Sequence, residues 1–368
     1  MDQPLVILGA STRAAAFSAL RAGLRPSCID LFADADLRSR CTATTIAPAD
    51  YPQGFVPLLR DAPPAPWMYT GAMENRPQLV HRLAQLRPLW GNDSSVLAAA
   101  RSPGKMRKLL RSAGLACPGI SCAASPPPGR WLIKPREGAG GKGIRHHRAS
   151  AAPRRDRRFY YQEYIEGENC AAIYVGHPSE TRLLGVTRQL VGESWLRAAA
   201  FHYCGSIGPL ALSGPVRQAL EALGTILARG CGLLGLFGVD FILRDGIPWP
   251  VEINPRYTAS IEVLEYATGF SAVGWHRRVF DSTAPVPSSG PASISAASIG
   301  KAILFAKAPL IFPSEGPWLG TLQAGGSVND PPAFADIPAA GQAIAAGRPI
   351  LTLFSRGDTP DACLGSLQ

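Results

Sequence analysis

The sequence predicts an α/β (α+β) protein with more than one core, and three observations carry that prediction. Residues 4–31 pass from a short apolar run through a small-residue turn and a helical stretch to a second apolar run. A strand ending in Lys134-Pro135 leads into a loop with four glycines in six residues, Gly138 to Gly143. Two apolar runs, 238–243 and 249–254, flank an Asp245-Gly246 turn signal, the mark of a β-hairpin. Length and composition agree: 368 residues, 46% hydrophobic and 17% charged, make a globular chain with room for two or three cores.

Pro4 to Gly9 (PLVILG) is the first strand, Ala10 to Thr12 the turn, Arg13 to Gly23 the helix, and Arg25 to Leu31 the second strand, closing on Asp30. That order opens a Rossmann-like unit. The turn, Gly9-Ala-Ser-Thr-Arg-Ala, lacks the second and third glycines of a dinucleotide fingerprint. Ser11 and Arg13 at the helix N-terminus are placed to hold a carboxylate or phosphate, or simply to cap the turn. Trp67 to Glu74 reads as another strand running into a glycine turn, with Glu74 and Asn75 toward the same cleft. These spans make a first domain of residues 1–100 and a second of 101–280. Residues 281–298, rich in Pro, Ser, Ala and Gly, read as a linker to a small β-rich region, 299–368, in which Ile344 to Gly347 closes a short helix.

The second domain carries the chemistry. Its glycine loop exposes backbone N–H groups and is pliable enough to close over phosphates. Gly143 follows Lys142 where a Walker A loop needs Ser or Thr, so this is a different loop. Phe159 to Glu168 is an aromatic strand that breaks into an acidic turn. Its end leaves backbone groups with which an adenine can pair, and Glu168 could accept from ribose hydroxyls. Cys170 to Gly176 and Arg182 to Leu190 read as two further strands of the same sheet, with Arg188 on one face. Val216, Leu220, Leu223, Ile226 and Leu227 form the core stripe of a helix over 215–230.

In the hairpin, a three-residue loop of Asp245, Gly246 and Ile247 sets Arg244 opposite Pro248 and Asp240 opposite Glu252, with Asn254 on the same face. Two carboxylates and an amide oxygen on one face repel unless a hard cation sits between them, and the mix suits Mg²⁺ bridging a nucleotide's phosphates. Phe241, Ile242, Leu243, Val251 and Ile253 leave little of the ribbon free to face water, so its charges need partners. Arg256 stands just beyond, placed to meet an anion.

The formal charge of +10 comes mostly from scattered arginine and fits a polyanionic small substrate. The densest basic cluster, 145–158, has aromatics only at its end and reads as a solvated loop, not a nucleic-acid surface. Eight cysteines stand singly, without a Cys-x-x-Cys pair, as expected of reduced thiols in a cytoplasmic protein. Lys301 and Lys307 interrupt the most hydrophobic C-terminal stretch, so no run of about 18 apolar residues spans a membrane. No secretory leader is evident.

Taken in order, these motifs resemble the ATP-grasp superfamily, in particular the ATP-dependent carboligases related to biotin carboxylase. The motifs are the Rossmann-like opening, the helix with Lys105, the Lys134-Pro135 strand with its glycine loop, Gln162-Glu-Tyr-Ile-Glu-Gly-Glu168, Val239-Asp-Phe241 and Glu252-Ile-Asn-Pro-Arg256. The resemblance implies an ATP-grasp fold with a nucleotide-binding lobe at about 115–190 and a metal-binding hairpin at 237–256. It implies that Lys105 and Lys134 contact the phosphates of ATP and that Gly138, Gly140, Gly141 and Gly143 close over the γ-phosphate. Glu163, Tyr164 and Ile165 would line the adenine and Glu168 the ribose. Asp240, Glu252 and Asn254 would bind two Mg²⁺ ions, and Arg256, Arg188 and Lys142 form the catalytic set. Relatives with an arginine two residues before the first metal acid differ from this chain, which has Gly238 there; Arg256 or Arg188 must supply that charge.

The implied reaction joins a small-molecule carboxylate to an amine. The acid attacks the γ-phosphate of ATP, forming an acyl phosphate and ADP, and the amine then displaces phosphate. Some relatives join glutamate to an aromatic amine in making one-carbon carrier cofactors of the methanofuran type. Two other readings stay open: a nicotinamide-dependent oxidoreductase using Gly9 to Arg13 and Asp30, and a non-catalytic nucleotide- or RNA-binding module. Self-association is left open too.

Overall fold

Leu5, Val6, Ile7 and Leu8 are consecutive apolar residues in the strand Gln3–Gly9, a pattern that requires cover on both faces. Leu5 and Ile7 pack into one core, Val6 and Leu8 into another. This strand is central to a four-stranded parallel sheet, in the order 42–45, 24–30, 3–9 and 67–69. The computed structural model describes residues 3–148, 156–287, 297–323 and 327–368.

A second, four-stranded antiparallel sheet holds Ile120–Ser121, Phe159–Glu163, Trp131–Pro135 and Arg145–His146, in that order. The glycine loop joins two of its strands. The third sheet has eight antiparallel strands and runs from the hairpin Gly235–Arg244 and Ile247–Asn254 through 168–176, 181–191 and 203–208 to 298–305, 349–357 and 334–335. Strand alternation divides its side chains. Cys170, Ala172 and Tyr174 meet Leu220, Leu223 and Leu227 of the helix Gly214–Cys231, whereas Ile173 and Val175 share a core with Ile261 and Leu264 of the helix Ala259–Thr268.

Three expectations change here. The strands at 168–176 and 181–191 do not continue the sheet of 159–163, because the chain crosses between sheets at 164–167. The C-terminal strands Ser298–Phe305 and Pro349–Gly357 extend the eight-stranded sheet and are not a separate cap. Residues 344–347 close no helix: Ala343–Ile344 is a short strand followed by a turn, and the last helix is Pro360–Leu367. Half of the linker, 288–296, and part of the basic loop, 149–155, lie outside the described residues. Among the described residues no helix is long and apolar enough to cross a membrane.

The N-terminal unit is joined to the rest by buried polar contacts. Arg13 is fully buried and does not meet an external anion; its guanidinium is held by Glu262 and Asp336. Asp30 accepts from Thr12 N and Oγ1 at 2.6 and 2.7 Å, and from Phe32 N and Ala33 N, both at 2.7 Å. The carboxylate that a dinucleotide ribose would need is committed to the turn.

His276 links the same parts. Its Nδ1 accepts from the Leu236 N–H at 2.9 Å, which leaves Nε2 to donate to the Trp90 carbonyl at 3.1 Å. Burial pushes this imidazole down from 6.5 to about 4, only partly opposed by the Trp90 carbonyl. A depressed value means that the neutral ring stabilises the fold fully above pH 6.5, and that this contribution is lost as the pH falls toward 4. The full effect is about 3 kcal/mol. Urea midpoints are expected to drop across that interval in the native chain and to vary less in His276→Gln; equal profiles would refute the assignment.

Candidate active site

The hairpin turns on two residues, not three. Asp245 and Gly246 have φ values of 52° and 71°, both left-handed, as a tight primed turn requires, and Arg244 pairs with Ile247. That register alone would put Asp240 opposite Val251. A bulge between Asp240 and Phe241 restores the pairing of Asp240 with Glu252 and of Gly238 with Asn254. Asp240, Glu252 and Asn254 therefore share the face that looks into a cavity of about 560 Å³. At Gly238 an added Cβ would lie 2.9 Å from Thr258 Cγ2, so any side chain here would have to displace that threonine methyl.

Each group on this face has a partner. Asp240 accepts from Gln189 Nε2 and Asn254 Nδ2, both at 2.9 Å. Burial, then the adjacent charge of Glu252, pushes Asp240 up to about 6, although the Asn254 amide, Arg256 and Gln189 oppose the shift. Glu252 moves the other way: burial would raise it, but the Arg101 guanidinium and the Lys134 ammonium outweigh burial and hold it below the usual carboxylate range. Asn254 Oδ1 accepts from Arg256 Nη2 at 3.1 Å. Arg256 in turn donates through Nε to Glu74 Oε1 at 2.9 Å.

Arg101 was not picked out in the sequence. Besides its ion pair with Glu252, it donates to the carbonyls of Arg136 and Gly138 at 3.2 and 3.1 Å, tying the hairpin to the glycine loop. The available signal was a single cation closing the run Val96-Leu-Ala-Ala-Ala100, immediately before the Ser102 cap. Asn75 Nδ2 holds Gly138 O at 3.1 Å from the other side. Gly140, Gly141 and Gly143 all have left-handed φ, and a Cβ on Gly141 would fall 1.7 Å from Phe201 O. Glycine there lets the loop backbone lie against residues 199–203.

Lys134 is buried and donates to Gln162 Oε1 at 3.1 Å and Val251 O at 3.3 Å. It borders both the large cavity and a smaller opening lined by Arg101, Gly138, Gly141 and Lys142. Lys105 is exposed on the helix Pro103–Ser112, outside the lining of either space, while its neighbours Ser102 and Met106 line the smaller one. Glu163, Tyr164 and Ile165 line the large cavity where the chain crosses between sheets. The Glu163 carboxylate is taken by Gly119 N at 2.8 Å.

Glu168 and Arg188 are not in the cavity. They form an ion pair on the opposite face of the sheet, and Arg188 also reaches Asp361 at 3.0 Å. Alternation explains the correction: the cavity-facing neighbours are Asn169 and Gln189, one residue along in each strand. Among the described residues no group of three or more His, Cys, Asp or Glu could hold a metal. The candidate donors are two carboxylates and one amide.

Comparison with known proteins agrees with this architecture. Residues 104–260 match the ATP-grasp domain family. The carbamoyl phosphate synthase large chain of Beutenbergia cavernae is 26% identical over 215 residues, 50% of this chain but only 19% of that protein. An uncharacterized protein of Methanocaldococcus jannaschii is 28% identical over 104 residues, 28% of this chain and 24% of its own length. This chain thus spans about a fifth to a quarter of each relative. Among solved structures, the biotin carboxylase domain of Hydrogenobacter thermophilus 2-oxoglutarate carboxylase superposes with a TM-score of 0.73 at 15% identity, covering 98% of this chain and 88% of that one. The L-amino acid ligase of Bacillus licheniformis gives 0.68 at 15% identity, with 99% and 96% covered. Residues 104–260 of this chain are thus similar to the ATP-grasp domain family, and the chain shares its fold with these solved structures over nearly its whole length.

Proposed function

We propose that this chain is an ATP-dependent, ADP-forming ligase that joins a carboxylate to an amine. The observation that carries the reading is that Asp240 and Glu252 stand opposite each other on the face lining the large cavity, where burial first and the charge of Glu252 second push Asp240 up to about 6. A cation between them would relieve that repulsion, and two carboxylates with an amide oxygen are hard donors that fit Mg²⁺. Held by Asp240, Glu252 and Asn254, Mg²⁺ would supply charge neutralisation at the phosphates of ATP. The Hydrogenobacter domain, similar in fold, was crystallised with MgADP and bicarbonate, and the similar proteins include a carbamoyl phosphate synthase large chain and an L-amino acid ligase.

The residues divide the work. Lys134, fixed by Gln162 and Val251, would direct its ammonium toward the phosphates. The glycine loop would present N–H groups and keep water from the γ-phosphate, with Lys142 beside it. Glu163 to Ile165 would border the adenine. Arg256, steadied by Glu74 and Asn254, would face the transferred phosphoryl group and the acyl phosphate. The bond made first is from carboxylate oxygen to phosphorus as ADP leaves; the amine then attacks the acyl carbon and phosphate departs with the bonding electrons. The narrower reading, glutamate joined to an aromatic amine in a methanofuran-type cofactor, is supported by the sequence resemblance.

A screen of acid and amine pairs for ADP release tests the class, starting from L-glutamate with tyramine. An ¹⁸O-labelled carboxylate is expected to deliver one label to inorganic phosphate, because the attacking oxygen stays on phosphorus. AMP and pyrophosphate as products would mean an adenylate and would overturn γ-phosphoryl transfer to the acid.

A further inference from the structure

The large cavity has more polar capacity than the nucleotide and metal roles use. It follows the strand Gly235–Arg244. Asn169 pairs with Ile242 near the sheet crossing, Ala171 with Asp240, and Ile173 with Gly238, beyond which lie Arg256 and Thr258. At that far end is Glu74, only 2% exposed yet part of the cavity wall. Arg256 contacts a single oxygen of this carboxylate, Oε1, through Nε at 2.9 Å and Nη2 at 2.8 Å. The other oxygen, Oε2, is buried with no hydrogen-bond partner among the described residues. Thr258 Oγ1, in a residue of the same wall, is also buried without one.

A buried carboxylate oxygen lacking a donor costs free energy, so its natural complement is a ligand that brings N–H groups and positive charge. We propose that Glu74 Oε2, with Thr258 Oγ1, forms the subsite for the ammonium group of the amine substrate. This rests on the ligase reading and extends it to the nucleophile. Glu74 already holds Arg256, the residue placed to face the acyl phosphate, so one carboxylate fixes the electrophile's anchor through Oε1 and receives the nucleophile through Oε2. The proton balance closes within the site. The ammonium gives one proton to Glu74, the nitrogen lone pair forms the C–N bond, and the carbon–oxygen bond to phosphate breaks with its electrons leaving on phosphate, which takes the second proton that the nitrogen loses in becoming an amide. Glu74 then returns the proton to solvent.

The experiment compares two nucleophiles on one acid, the first in the screen to release ADP. Tyramine enters as an ammonium ion; hydroxylamine is uncharged at neutral pH and needs no carboxylate to receive it. Glu74→Gln keeps an oxygen for Arg256 but replaces the free anionic oxygen. It is expected to raise the KM for tyramine by about tenfold or more, the effect of one lost charge-assisted contact. Amide formation should fall at least several times further than hydroxamate formation. Thr258→Val, which disturbs no ion pair, is expected to raise the tyramine KM in the same sense by a smaller factor. Equal losses with both nucleophiles would mean that Glu74 acts only through Arg256, and would overturn the ammonium site. So would an unchanged tyramine KM in both variants. A native chain that releases no ADP with any acid overturns the ligase reading itself, a result visible before any variant is made.

Discussion

Glu252→Gln is expected to reduce ADP formation by about three orders of magnitude, the scale on which removal of a charge-stabilising group acts in phosphoryl transfer. The change removes one of the two carboxylates facing the cavity and leaves Arg101 without its counter-charge. Little packing is lost, since the Glu252 side chain remains 29% exposed and is isosteric with Gln. Asn254→Ala should act in the same direction, because that amide both donates to Asp240 and accepts from Arg256. Binding should change with turnover: Mn²⁺, followed by its paramagnetic signal, should bind weakly to both variants while their unfolding midpoints stay near the native value. If both turned over normally at saturating Mg²⁺, the hairpin would not be the metal site.

The hairpin shows how far the sequence could be read. Alternation and the Asp-Gly signal located the turn and put Asp240, Glu252 and Asn254 on one face, since all three facts depend on local pattern. The loop length was misjudged and the bulge was invisible; the two errors offset each other, so that the pairing of Asp240 with Glu252 stands for a different reason. Glu168 and Arg188 were misplaced because their side of the sheet depends on which strands neighbour them, and the chain changes sheets just before Glu168. Arg101 and Glu74 act over long sequence separations, Arg101 on Glu252 and Glu74 on Arg256, so no local motif marks their roles. The C-terminal strands read correctly as strands, but their membership of the large sheet is a property of non-local pairing.

Arg13→Met is expected to lower stability by about 3–5 kcal/mol, the range found when one partner of a buried ion pair is removed. Arg13 meets Glu262 Oε2 at 2.9 Å and Asp336 Oδ1 at 2.8 Å, with Asp36 at 3.5 Å. Against burial, which would raise it, Arg13 and Lys301 hold Glu262 far below the usual carboxylate range. Without the guanidinium, Lys301 at 2.8 Å is the one remaining close cation for Glu262 among the described residues, and Asp336 loses its nearest counter-charge. If the loss arises from stranded carboxylates rather than from packing, Arg13→Met combined with Glu262→Gln should recover part of the stability lost by Arg13→Met alone. Urea unfolding of the two variants measures this, and strictly additive losses would refute it. The consequence reaches the cavity, because Glu262 lies on the helix Ala259–Thr268, whose first turn carries Ser260, and Ser260 is hydrogen-bonded to Ser206 at 2.9 Å beside Tyr203. Loosening Arg13 would release that helix from the N-terminal unit, which also carries Glu74. Arg256, just before the helix, depends on Glu74 for its position, so activity should fall at temperatures below those at which the fold is lost.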